Sequence, residues 1–263
     1  MSAEAEGADD APTTEAETFT ATVEAGVLDS YLDCLTAFVD EAKVELTADG
    51  LHVEAIDAAN VAGVFADLPA GEFESYDAGG GVVGVNIGKL QTAIGLADGS
   101  EAIVTLYLDP ETRKLDVDGS DFSYSVGLID PDSVRQSPDR PDLDLSNRVT
   151  LGADQFKRAV DGVENVSDHA GFHVEPDDEA LFIVGEGDLD DLEFEFTRDD
   201  HLHDFDAEGP STSLFSHEYL DSVTGKLAGP VDIDTDDQMP IWLTFERNGA
   251  TVEYMIAPRI RNT

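Results

Sequence analysis

Residues 19–57 read FTATVEAGVLDSYLDCLTAFVDEAKVELTADGLHVEAID, and residues 148–187 read RVTLGADQFKRAVDGVENVSDHAGFHVEPDDEALFIVGEG. Each opens on alternating apolar residues, passes into a short stretch with helical spacing, and returns to alternation on both sides of a turn. In the first, Asp49-Gly50 marks the turn. The order is the same in both: strand, helix, strand, turn, strand. The stretches that follow also correspond. Residues 81–129 give a strand, a helix and three strands, and residues 211–258 repeat that order, with Asn248-Gly249 as a hairpin signal. So long a period implies two similar domains rather than a solenoid, whose units run about 20–50 residues.

Strands outnumber helices and pair mainly through hairpins. The expected fold is therefore α+β, with two helices of about three turns per half lying on one face of antiparallel sheets. The expected division is a disordered acidic tail over 1–18, a first domain over 19–130, a connector over 131–145 and a second domain over 146–263. The connector carries Pro131, Pro138 and Pro141, which deny it a helix or a central strand. It reads as an extended edge that leaves Val134 and Leu143 as apolar side chains, either a spacer or a docking edge.

The 263 residues carry 58 acids and 14 bases, a formal net charge of -44, yet 41% of them are apolar. That apolar fraction is ordinary for a globular chain, so the acidity points to a solvent holding molar salt, where the screening length falls to about 3 Å. A cytoplasmic, nucleoid-associated location in such a cytoplasm is expected. The first residues lack the basic and apolar segments of a signal peptide, and no run is long enough to span a bilayer. The single cysteine, Cys34, excludes an internal disulfide and reads as a small core residue. Against this background the few bases are informative. Lys89, Lys157, Arg158 and Lys226 fall on three of the four expected helices, and from Tyr254 to Thr263 there is no acid at all.

Three motifs together resemble the archaeal and eukaryotic DNA polymerase sliding clamp, the proliferating cell nuclear antigen family. They are AIDAANVAGV (55–64), LIDPDSVRQSPDRPDLDL (128–145) and YMIAPRI (254–260), in that order on a duplicated framework spanning about Phe19 to Ile260. The resemblance implies a duplicated DNA-clamp fold, three chains closed head to tail into a ring, and helices lining a hole that holds double-stranded DNA without reading its sequence. It implies no cofactor and no enzymatic activity. Lys89, Lys157, Arg158 and Lys226 would then face DNA. Tyr124, Leu128, Leu192 and Phe194 would form the apolar part of the subunit joint, between DFSYSVGL and DDLEFEFT, or else ordinary core.

The family's partner-peptide pocket maps onto Asn60, Val61, Val134, Pro138, Leu143, Pro240, Met255, Ala257, Pro258 and Ile260. Polymerase, clamp loader, nuclease and ligase would dock there through short peptides, and Arg259 would meet acids flanking them. Two departures stand out. Gly63 replaces a larger apolar residue of the pocket, and Asp29 and Asp33 stand on the first helix where clamps usually show lysine. These, together with the acidic N-terminal extension outside the resemblance, leave open a diverged paralogue that regulates repair or sequesters clamp partners. A halophilic metal-dependent hydrolase is the remaining alternative: His201 and His203 with Asp204 and Asp206, or His169 and His173, have permissive spacing for a metal. Residues 200–208 read more simply as a solvated loop, and no nucleophile elbow, phosphate loop or dinucleotide fingerprint is present.

Overall fold

The computed structural model describes residues 16, 18–137, 140–141 and 143–259. The first half runs β1 (Phe19–Glu24), α1 (Ala25–Leu35), β2 (Glu41–Leu46), β3 (Gly50–Ile56), β4 (Ala62–Pro69), β5 (Ser75–Ala78), β6 (Val82–Asn86), α2 (Ile87–Ile94), β7 (Ile103–Asp109), β8 (Lys114–Asp118) and β9 (Ser123–Gly127). The second repeats it as β10 (Asn147–Gly152), α3 (Ala153–Glu164), β11 (His169–Glu175), β12 (Ala180–Glu186), β13 (Asp191–Thr197), β14 (Asp204–Ala207), β15 (Ser211–Ser216), α4 (His217–Thr224), β16 (Pro230–Thr235), β17 (Ile241–Arg247) and β18 (Ala250–Ile256). Among the described residues, no helix is long and apolar enough to cross a membrane.

Local chemistry explains these elements. Asn248 (φ 48°) and Gly249 (φ 81°) form the left-handed pair that a tight β17–β18 hairpin needs. Asn86 caps α2 by accepting from the Lys89 N–H. On α3, Phe156, Ala159, Val160 and Val163 recur at helical spacing and are fully buried. Gly95 and Gly225 end α2 and α4 after eight residues each, so these helices make about two turns rather than three.

The sheets show the duplication as topology. One sheet has the order β5-β1-β7-β8-β9, and another the order β13-β12-β11-β15. Their counterparts, β14-β10-β16-β17-β18 and β4-β3-β2-β6, are fused into one nine-stranded sheet by an antiparallel β18–β4 joint. The helices pack against the inner face of these sheets. Tyr31 on α1 donates its hydroxyl to the Ala66 carbonyl, and α4 packs on β18. On the opposite, outer face Phe65, Trp242 and Met255 form a small separate cluster beneath Leu145 of the connector. The halves are also tied side to side: Asp33 accepts from Lys226 Nζ at 2.5 Å and Arg247 Nη1 at 3.1 Å, and Tyr254 donates to the Cys34 carbonyl at 2.8 Å. Cys34 is fully buried, and that burial pushes its thiol up despite the nearby Arg247 guanidinium. It is core.

Several expectations need correction. Residues 204–207 are not loop but β14, paired with β10 and anchored by buried Phe205. Lys226 lies two residues beyond α4, so only α2 and α3 carry bases. Among its described residues the connector has a 3-10 turn at Pro131–Ser133, with Pro131 at the first position, where its missing N–H costs nothing. The expected tail lies outside the described residues except for Ala16 and Thr18.

Candidate functional site

The outer face of the nine-stranded sheet carries most of the expected pocket. Met255 pairs with Gly63 and Trp242, Ile256 with Ala62, and the Ala257 N–H donates to the Val61 carbonyl at 2.8 Å. Because side chains alternate along a strand, Val61, Gly63 and Phe65 share a face with Glu253, Met255 and Ala257. Pro240 precedes β17 on the same side. Gly63 leaves a gap that its neighbours fill: a Cβ there would lie 3.2 Å from the Phe65 ring and 3.3 Å from Ile56. Ile56 is thus part of the floor although it was not expected. Its period-2 relation to His52 and Glu54 on the same strand was the available signal.

The loop from Asp57 to Val61 is held by one carboxylate. Asp57 accepts from the N–H groups of Ala59, Val61 and Ala62 at 2.7–3.0 Å, and from the Tyr219 hydroxyl of α4 at 3.0 Å. Partial burial pushes its carboxyl up, but these four donors outweigh it and hold it below the ordinary aspartate value. Asn60 stands at φ 57° and accepts from Arg135 at 2.7 Å.

The connector crosses this face. Ser137 donates to the Glu54 carbonyl, and Arg140 lies 5.2 Å from the Phe65 ring and 4.6 Å from the Trp242 ring while pairing with Glu253 at 2.6 Å. Val134 is buried against β6 near Gly84 rather than left exposed. Leu143 lines a separate cleft with Arg140 and Trp242. Met255 is buried, while Ala257, Pro258 and Pro240 remain partly exposed. Pro138 and Ile260 lie outside the described residues. Arg259 donates its N–H to Leu214 and its Nε to His169 Nε2 at 2.9 Å.

His52 sits on this face between Asp67 and Glu54, and hydrogen bonds to those carboxylates raise its pKa from 6.5 to about 10. The stability this supplies is complete below the ordinary histidine value and fades as pH rises towards 10. In a proton NMR titration the His52 ring signals should stay constant from about pH 6 to 8, where an unperturbed histidine changes charge. A midpoint near 6.5 would contradict that geometry.

The inner face is not a basic footprint. Asp29, Asp154, Glu164, Glu218 and Asp221 are exposed on the helices beside Lys89, Lys157 and Arg158. Lys157 pairs with Asp161, Arg158 lies over the Phe194 ring at 5.4 Å, and Lys226 is taken by Asp33. His201 and His203 lie in a turn before β14 rather than on a strand, and His201 packs edge-on against Phe196. No cluster of three metal-ligating side chains occurs among the described residues.

Two sheet edges complete the site: β9 and β13 have no strand on their outward sides among the described residues. The registers identify their counterparts. Tyr124–Val117–Leu106–Ala21 form one cross-strand row, and Tyr254–Leu243–Ile233–Val149 form its equivalent. Likewise Leu46–Leu51–Leu68 matches Val174–Leu181–Phe196. So β9 corresponds to β18 and β13 to β4, the two strands already joined within the chain. Tyr124 is 39% exposed, whereas its equivalent Tyr254 is 0% exposed. Leu192 and Phe194 are partly buried on the helix side, against Gly162 of α3, and Leu128 packs inward on the core.

Duplicated sheets with four helices on one face and an extended strap on the other define a class, the DNA-clamp architecture. The structure is similar to that of A. fulgidus PCNA bound to the C-terminal region of FEN-1 (TM-score 0.85, 29% identity, 93% of this chain and 100% of that one). It is also similar to PCNA from Thermococcus kodakaraensis (TM-score 0.83, 25% identity, 92% and 100%). Residues 18–117 match the family model "Proliferating cell nuclear antigen, N-terminal domain". The DNA polymerase sliding clamp of Natronomonas pharaonis is 41% identical over 93% of this chain and 99% of its own, and that of Haloarcula marismortui 40% over the same shares. The chain belongs to the DNA polymerase sliding clamp family, and it is a processivity factor, not an enzyme.

Proposed function

We propose that three copies of this chain close head to tail around double-stranded DNA, each built of domains 19–130 and 146–263 joined by 131–145. One observation carries this reading: among the strands that end a sheet in the described residues, β9 and β13 are the counterparts of the two strands that already pair inside the chain. Repeating that joint between copies removes both edges. Transferring the register of Tyr254 opposite Val64 and Val252 opposite Ala66 sets Tyr124 opposite Leu192 of the next chain, and Phe122 opposite Phe194. The Gly127 N–H then meets the carbonyl of Leu189, the counterpart of the Ala257 to Val61 bond, and Leu189, 95% exposed in the single chain, gains cover. Leu128 falls outside this register.

Polymerase, clamp loader, nuclease and ligase dock by short peptides at the outer-face pocket of Val61, Ala257, Pro258 and Pro240, by strand addition and an apolar plug. The cell interior is a high-salt cytoplasm, in which the repulsion of DNA by the acidic ring is screened within a few ångströms.

Retention on DNA tests encirclement. Loaded clamp should stay on a closed circle and leave within minutes of the circle being cut; equal retention on linear DNA would rule the ring out. Lys89, Lys157 and Arg158 supply sparse phosphate contacts. Charge reversal would set a second acid beside Asp33 at Lys226 and beside Asp161 at Lys157, so the clean variant is Lys89→Gln with Lys157→Gln. It should shorten residence on circles by about threefold to tenfold, the effect of losing two phosphate contacts. Unchanged residence would remove these lysines from the DNA path.

A further inference from the structure

Among the described residues, one surface lacks the cover that its counterpart in the duplication has. Over the first half the connector straps the outer face, with Arg140 over Phe65 and Trp242 and paired with Glu253. The equivalent face of the second half, on β11, β12 and β13, is an open groove lined by His173, Phe182, Val184 and Glu193. Phe182 lies between His173 and Glu195, and Val184 between Gly171 and Glu193. Gly171 is required there: a Cβ would come within 2.8 Å of Val184 and 3.0 Å of the His173 ring.

Position by position, Phe182 and Val184 replace His52 and Glu54, while Glu193 and Glu195 replace Phe65 and Asp67. The first half thus offers an aromatic ring and acids that are answered by His52 and Arg140. The second offers Phe182 and Val184 beside Glu193 and Glu195, while Glu175 and Asp237 at its rim accept from the N–H groups of Asp177 and Thr212, and no strap crosses them among the described residues.

We propose that this face is a second docking surface, which takes an extended arginine-bearing segment of a partner protein. The guanidinium lies over Phe182 and pairs with Glu193 or Glu195, as Arg140 does over Phe65 and Trp242 with Glu253. In molar salt only such direct contact survives screening, so the aromatic ring and Val184 supply the affinity and the carboxylates supply the choice of arginine. The surface is separate from the pocket at Val61 and Ala257, and it is present whether or not three chains form a ring.

The test uses the full chain and a fluorescein-labelled peptide with the sequence of positions 133–141 carrying Asp139→Ser, followed by anisotropy in roughly 2 M salt. Saturable binding is expected. It should weaken at least tenfold for Phe182→Ser and for the double variant Glu193→Gln, Glu195→Gln, and vanish when serine replaces both peptide arginines. Val61→Asp, in the other pocket, should leave it unchanged. No saturable binding, equal binding by the Phe182 and glutamate variants, or loss with Val61→Asp would each overturn the proposal.

Discussion

Tyr124→Asp should turn the proposed trimer into a monomer. In the single chain Tyr124 is 39% exposed at the edge of β9, so its loss barely touches the fold. At the joint it would face Leu192 of the next chain. Covering the part of the ring still exposed stabilises by about 1 kcal/mol, and a desolvated aspartate opposite leucine adds about 2 kcal/mol or more. About 3 kcal/mol at each joint weakens pairing more than 100-fold, and all three joints are hit together. Light scattering in roughly 2–3 M salt should show the mass of one 28.2 kDa chain instead of three; Tyr124→Phe, which keeps the ring, should remain trimeric. The transferred register also sets Asp121 opposite Glu195 and Ser125 opposite Asp191, so like charges flank the apolar pairs. Dilution into low salt should therefore dissociate even the unaltered ring. A Tyr124→Asp protein of full trimeric mass would mean that β9 and β13 do not meet in this register.

The duplication was legible because it rests on alternation, helical spacing and turn residues, all local properties. Asp49-Gly50 and Asn248-Gly249 mark their hairpins without help from the rest of the chain. What escaped was set by distant contacts or hidden by acidity. In β14 only Phe205 faces the core, and Asp204 and Asp206 around it look like any solvated acid of this sequence. Lys226 has helical neighbours, but Gly225 ends α4 before it and Asp33, 193 positions away, claims its charge. Phe122 and Leu189 were overlooked because the register of an open edge is fixed only by its counterpart elsewhere in the fold. Val134 sits on an extended segment that reads as exposed, yet the absence of a side chain at Gly84 lets it sink onto β6. Family resemblance found the pocket's address, but the alternation of β4 and β18 decides which of its residues face outward.

The largest effect on docking is expected from Asp57→Ala. Asp57 is only 9% exposed, and its carboxylate answers three backbone N–H groups and the Tyr219 hydroxyl. Alanine leaves all four donors unanswered. Hydrogen bonds to a charged group contribute about 1.5–3 kcal/mol each, and those sharing one acceptor do not add, so a loss of about 3–5 kcal/mol is expected. It falls on the loop that carries Asn60 and Val61 and on the contact between α4 and the first half, so peptide affinity should drop with stability. Asp57→Asn keeps one acceptor oxygen and should recover part of both. The depressed pKa gives the pH dependence its sign: the stabilisation is present above the ordinary aspartate value and is lost as pH falls through the lower, folded value. Denaturant midpoints at pH 7 and in acid, read beside binding of a labelled polymerase tail, separate the outcomes. If Asp57→Ala leaves peptide affinity within twofold while lowering stability, the loop braces the two halves and does not shape the pocket.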